Sequence, residues 1–178
     1  MTTSVHIHTV EQLDSRLAAL TEMLIAVVHD GASIGFLPPL SEQEAEQYWQ
    51  GVMTPGVIVL IAEVDGQLAG TVQVQLCGKP NGAHRADIAK LMVHPKFRRR
   101  GIARLLMEQA QQVAEQADRI LLVLDTRDGD PSNLLYQSLG YIQAGQIPYF
   151  AISEHGGLDA TNLYYKLLQD PSTKGFQA

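Results

Sequence analysis

A single cysteine, Cys77, stands among 178 residues, so the chain has no internal disulfide open to it and must be held by packing. Its place at the end of an apolar strand suits a small buried side chain better than a nucleophile. Long hydrophobic runs are also missing: stretches such as Val57 to Ala62 are far too short to cross a bilayer. Met1 to His8 lacks a basic region followed by an apolar one, so no signal peptide and no membrane partner are expected, and a cytoplasmic location is the simplest reading. Positive charge is scarce. Thirteen Lys and Arg against 19 Asp and Glu give a net charge of −6 and a pI near 5.4, which argues against nucleic acid as a partner. Hydrophobic residues make up 46% and charged residues 18%, a globular balance rather than a disordered one. With no repeat, low-complexity tract or linker, residues 1–178 are expected to form one domain.

The periodicities predict alternating element types. Val5 to Thr9 reads as a short strand. Thr9 and Gln12 match a capping box, from which a long helix carrying Leu13, Leu17, Leu20 and Leu24 on one face should run to Gly31. Ala32 to Leu40, with Gly35 and Pro38-Pro39, is loop. A second capping box, Ser41 and Glu44, opens a helix to about Met53. Val57 to Val64 is apolar throughout, as a strand buried on both faces would be. Asp65-Gly66 is a hairpin signal returning the chain as Leu68 to Leu76. A strand at 85–94, a helix at 101–117, a strand at 119–126, a short helix at 132–139 and strands at 141–150 and 162–168 follow. This order predicts one mixed α/β sheet with helices on both faces.

Within that order, Val93-His-Pro-Lys-Phe-Arg-Arg-Arg-Gly-Ile-Ala-Arg104 joins an apolar strand to an amphipathic helix through a basic loop. Three cations at a helix N-terminus oppose its dipole, each at about 0.3–1 kcal/mol, and an anion there would relieve the conflict and collect the free backbone N–H groups. Gly101 and Ala103 are small where a backbone must approach a diphosphate. A Walker loop is excluded because no Gly-Lys-Ser/Thr follows, and a Rossmann fingerprint because its glycine spacing is absent.

Arg98-x-x-Gly101-x-Ala103 resembles the cofactor signature of the GCN5-related N-acetyltransferases, the GNAT family, and Asn133-Leu-Leu-Tyr136 before Gly140-Tyr141 resembles that family's second signature. The element order is also that of the GNAT fold. The resemblance implies a mixed, mostly antiparallel seven-stranded sheet whose fourth and fifth strands splay apart, with acetyl-CoA as acetyl donor and no metal. Arg98, Arg99, Arg100, Gly101, Ile102 and Ala103 would then hold the pyrophosphate. The backbone of Leu91, Met92 and Val93 would pair with the pantetheine arm as an added strand does, and Asn133 would hydrogen-bond that arm. Tyr136 would protonate the departing sulfur as general acid, and Asp87 with Asp125 would deprotonate the amine through water. His84 and His94 remain alternative bases by their ordinary pKa alone.

Five further segments, 31–36, 79–82, 85–86, 90–93 and 124–126, resemble the toxin-resistance members of the same family, with Asp87 standing where a glutamate is expected. That resemblance implies a small amino-acid-like antimetabolite as acceptor and allows a homodimer. The expected function is direct acetyl transfer to a small amine. A non-catalytic acyl-CoA sensor, which has no use for Tyr136 or the two aspartates, is the alternative.

Overall fold

The computed structural model describes residues 4–175. Its strands are β1 (Val5–Val10), β2 (Val57–Val64), β3 (Gln67–Leu76), β4 (Arg85–Val93), β5 (Leu121–Arg127), β6 (Ile142–Ile152) and β7 (Leu158–Leu167). They form one seven-stranded sheet in the order β1-β2-β3-β4-β5-β7-β6. Every pairing is antiparallel except β4 with β5. Helices α1 (Leu17–His29) and α2 (Glu42–Gln50) cover one face, and α3 (Ile102–Gln116) covers the other, with α4 (Ser132–Ser138) beyond it. Among the described residues no helix is long and apolar enough to cross a membrane.

The unbroken apolar run of β2 has a direct cause. Leu60, Ala62 and Val64 enter the core under α3, while Val59 and Ile61 enter the core under α1 and α2. The second core is closed by Trp49, which is fully buried and donates its indole N–H to the Leu20 carbonyl at 2.9 Å. Both hairpin residues between β2 and β3 take positive φ, Asp65 at 50° and Gly66 at 75°, as the tight turn demands. The Ser41–Glu44 capping box forms in both directions.

The expected box at Thr9 does not form. Thr9 pairs with Leu60 and Val10 with Val59, so these residues belong to the β1 ladder. Leu13 is buried against the α1–α2 core, a 3-10 turn spans Asp14–Arg16, and α1 begins only at Leu17 with no side-chain cap. Strand β7 likewise starts four residues before its expected position, because β6 runs on to Ile152 and pairs it with Leu158.

Candidate active site

Strands β4 and β5 pair over only three residues, Arg85 to Asp87 against Leu121 to Val123. Past that point they separate. A bulge in β4 assists: Val72 of β3 faces both Lys90 and Leu91, and Lys90 takes a φ of 54°. Beyond the bulge, His94 donates its N–H to Ala69 of the β3 side, so by alternation Val93 turns its N–H and C=O into the gap. These are the unpaired edge groups that an extended, amide-bearing ligand can meet. Leu91, Met92 and Val93 all line a cleft of about 1000 Å³ that opens between the two strands, at the upper end of the range for small-molecule pockets.

The cleft runs on to the start of α3. Gly101 precedes the helix at φ 77°, a conformation that disfavours any side chain, and a Cβ there would meet nothing within 4 Å. No side chain caps α3 and no acidic residue lies in its first turn, so its leading N–H groups stay available to an anion. Arg98, Arg99, Gly101, Ile102, Ala103 and Arg104 line this end. The three loop arginines divide. Arg98 pairs with Asp30, whereas Arg99 is bound by no such ion pair among the described residues. Arg100 does not line the cleft: its guanidinium lies 5.3 Å from the Phe97 ring centroid and reaches the Lys96 carbonyl.

At the opposite end Asp125, the fifth residue of β5, is exposed to the cleft and accepts from the Thr161 hydroxyl at 3.1 Å. Its charge acts on three neighbours. Tyr136, buried on α4 yet part of the cleft wall, is pushed well above the usual phenol value, first by burial and then by Asp125 and Asp130. Asp87 is raised by burial, lowered by Arg85 and raised again by Asp125. Lys90 is lowered by burial, with Asp125 opposing. Asp87 itself does not line the cleft; it sits in the last paired step of the β4–β5 ladder, opposite Val123.

Asn133 departs from its expected place. Its amide donates to the Arg127 and Asp130 carbonyls at 2.9 and 2.8 Å, and its oxygen accepts from Asn162 Nδ2 and Tyr164 Oη at 2.9 and 3.0 Å. Two donors and two acceptors fill the capacity of an asparagine, and Asn133 is absent from the cleft wall. It fastens α4 to β5 and β7, and so fixes Tyr136. Neither histidine lines the cleft. His94 is buried, accepting from the Lys96 N–H at 3.1 Å with Nε2 3.3 Å from Glu22.

Sequence reasoning passed over Lys90 and Arg127. Lys90 donates to the Ile34 carbonyl and lies 5.5 and 5.7 Å from the ring centroids of Phe36 and Tyr48. Arg127 ties three segments at the cleft mouth, reaching Asp130 at 2.8 Å, the Gly31 carbonyl at 2.9 Å and Asp159 at 3.7 Å. Only the positive φ of Lys90 marks its position as unusual, and no pattern in the residues signals that.

The comparisons with known proteins agree with this architecture. The model of the acetyltransferase (GNAT) family matches residues 18–141. An uncharacterised N-acetyltransferase of Azospirillum brasilense, from the hisH-hisA intergenic region, is 30% identical over 127 residues, covering 67% of this chain and 76% of the relative. A GNAT-family acetyltransferase from Streptococcus pneumoniae superposes with a TM-score of 0.75 at 23% identity, over 92% of this chain and 99% of that one. A Salmonella typhimurium protein, a candidate acetyltransferase solved with its cofactor acetyl-CoA, superposes with a TM-score of 0.78 at 18% identity, over 93% and 95%. A family match spanning most of the chain, on a sheet parted between β4 and β5 with an uncapped helix beside the gap, makes this chain a member of the acetyltransferase (GNAT) family.

Proposed function

We propose that this N-acetyltransferase moves an acetyl group from acetyl-CoA directly to the amine of a small, amino-acid-like acceptor. The observation that carries the reading is the position of Asp125: one carboxylate in the cleft wall whose charge is felt by Tyr136, Lys90 and Asp87 together. The residues present suit the donor. Open space at Gly101 and the free N–H groups of α3 fit a diphosphate, and the β4 edge at Val93 fits an amide-bearing arm.

Bound acetyl-CoA supplies an activated thioester carbonyl. The chain contributes the rest. Backbone N–H groups beside the β4 bulge polarise the carbonyl oxygen. Asp125, aided through water by Asp87, takes a proton from the acceptor ammonium, since only the free amine attacks. The nitrogen forms the new C–N bond as the C–S bond breaks. Tyr136 stays protonated throughout the working range, because burial and the neighbouring carboxylates hold its phenol above its usual value of 10. Full proton transfer to a thiolate of pKa about 8.5 would run uphill. In place of the general-acid role expected of it, Tyr136 therefore acts as a hydrogen-bond donor to the departing sulfur, and the proton that ends on the thiol is the second one released by the amine.

The test is release of free thiol from acetyl-CoA in the presence of small primary amines. Amine-dependent release is expected, and it should collapse in Asp125→Asn and fall in Tyr136→Phe. Unchanged turnover in both variants would remove these assignments.

A further inference from the structure

The charged groups around the acceptor end of the cleft are mostly paired with one another. Arg127 is held by Asp130 and Asp159, and Glu154 lies 3.4 Å from His155. Two groups of opposite sign stand apart. Among the described residues, Lys90 has no carboxylate within 4.0 Å and Asp125 has no cation within that distance, yet both line the cleft.

Lys90 is also held in place. The ammonium faces the Phe36 and Tyr48 rings and gives one hydrogen to the Ile34 carbonyl, which leaves two of its three donors for a ligand. The Tyr48 hydroxyl is fixed in turn by Gln73 Nε2 at 2.7 Å. Gly35 leaves room for the ammonium, since a Cβ there would stand 3.1 Å from Lys90 Nζ, closer than ordinary contact. A side chain immobilised in this way has already lost the rotamer freedom that binding would otherwise remove.

We infer that Lys90 is a specificity-determining residue that receives the carboxylate of the acceptor while Asp125 receives its ammonium, so that the substrate class is the free α-amino acid. The geometry that supports this is a caged cation on β4 and an anion on β5, neither in a salt bridge among the described residues, both lining the cleft between the two strands, the complement of a zwitterion. A polyamine or a peptide N-terminus would bring a second cation, or a neutral amide, to face Lys90. The inference rests on the acetyl-transfer reading above.

The test uses the purified full chain and three amine pools: the protein L-amino acids, their α-carboxamides, and putrescine with spermidine. Thiol release is followed with kcat and KM resolved. Wild type should favour the amino acids over their carboxamides by about tenfold or more in kcat/KM, the scale of one charge-assisted hydrogen bond. Lys90→Met should bring that ratio to within about twofold of unity, chiefly through KM of the acids, and Lys90→Arg should restore part of it. A lysine that only braced the 31–36 loop would lower acids and amides alike, and that result overturns the inference. So does a wild-type preference for carboxamides or polyamines, a comparison that needs no variant and stands even if Lys90→Met fails to fold. If no amine reacts although acetyl-CoA raises the melting temperature, the acetyl-transfer reading itself fails, and this inference falls with it.

Discussion

The two ends of the cleft are built from different material. The end proposed for the donor is mostly backbone: a strand edge freed by the parting of β4 and β5, and the uncapped start of α3 behind Gly101. All of it lies between residues 91 and 104. The end proposed for the acceptor is made of side chains drawn from distant segments: Lys90 backed by Phe36 and Tyr48, Asp125, and Arg127 backed by Asp159. A backbone site tolerates many sequences and serves a ligand common to a family. A side-chain site is re-specified by single substitutions. The contrast predicts that the two ends can be damaged independently.

The largest effect should come from the acceptor end. Asp125→Asn is expected to lower kcat by about 10²–10⁴-fold, the usual contribution of a positioned acid–base group, while acetyl-CoA affinity measured by calorimetry stays within about twofold. An equal loss of acetyl-CoA affinity would break the separation. Gly101→Val attacks the other end: it forces a β-branched residue to φ 77° at a cost of about 1–3 kcal/mol and fills the open space. Acetyl-CoA affinity should fall about tenfold or more, with acceptor KM little changed.

A pH profile gives a smaller effect. Burial holds the Asp87 carboxyl above its usual 3.8, with Arg85 opposing and Asp125 adding to the rise. The protonated form is thus favoured by the fold: its stabilising contribution is complete below the unfolded value and is lost as pH rises through the folded one. On the proposed mechanism Asp87 aids Asp125 only when ionised, so the acid limb of kcat/KM should lie above 3.8, and Asp87→Asn should move it and reduce the loss of stability across the same window. The smallest effect is expected from Arg100→Gln, below about twofold on acetyl-CoA affinity, because that guanidinium packs on Phe97 outside the cleft. Arg99→Gln, at the cleft wall, should weaken binding more.

The same contrast decides what the chain revealed before its structure was known. The donor end is legible because it is local: Pro95, the arginines and Gly101 fall in one window whose spacing carries its own physics. Asp125 and Tyr136 were reachable through the resemblance. Arg127 and Lys90 were not, because an arginine at a strand end and a lysine within a strand look like solvated charges until loop 31–36 and β7 are brought against them. Asn133 shows the converse. Its position suggested a ligand, but the nearby Arg127 and Asp130 carbonyls and the distant Asn162 and Tyr164 consume all its hydrogen-bonding capacity. The lost helix start at Thr9 has a similar cause, since pairing with β2 outweighs a local cap.

The three-residue ladder between β4 and β5 also bears on how the molecule opens. The core under α1 and α2 draws its sheet residues from β1 to β4, so β5, β6 and β7 are joined to the rest mainly through the core under α3, that short ladder and a few polar ties such as Arg127 to the Gly31 carbonyl. Strand β6 is exposed along nearly its whole length. Amide protons of β2 and β3 should therefore exchange with solvent only on global unfolding, while those of β6 exchange through a cheaper local opening. A ligand lying along both β4 and β5 bridges the seam, and its binding should slow exchange across β5 and β7, well beyond the residues it touches.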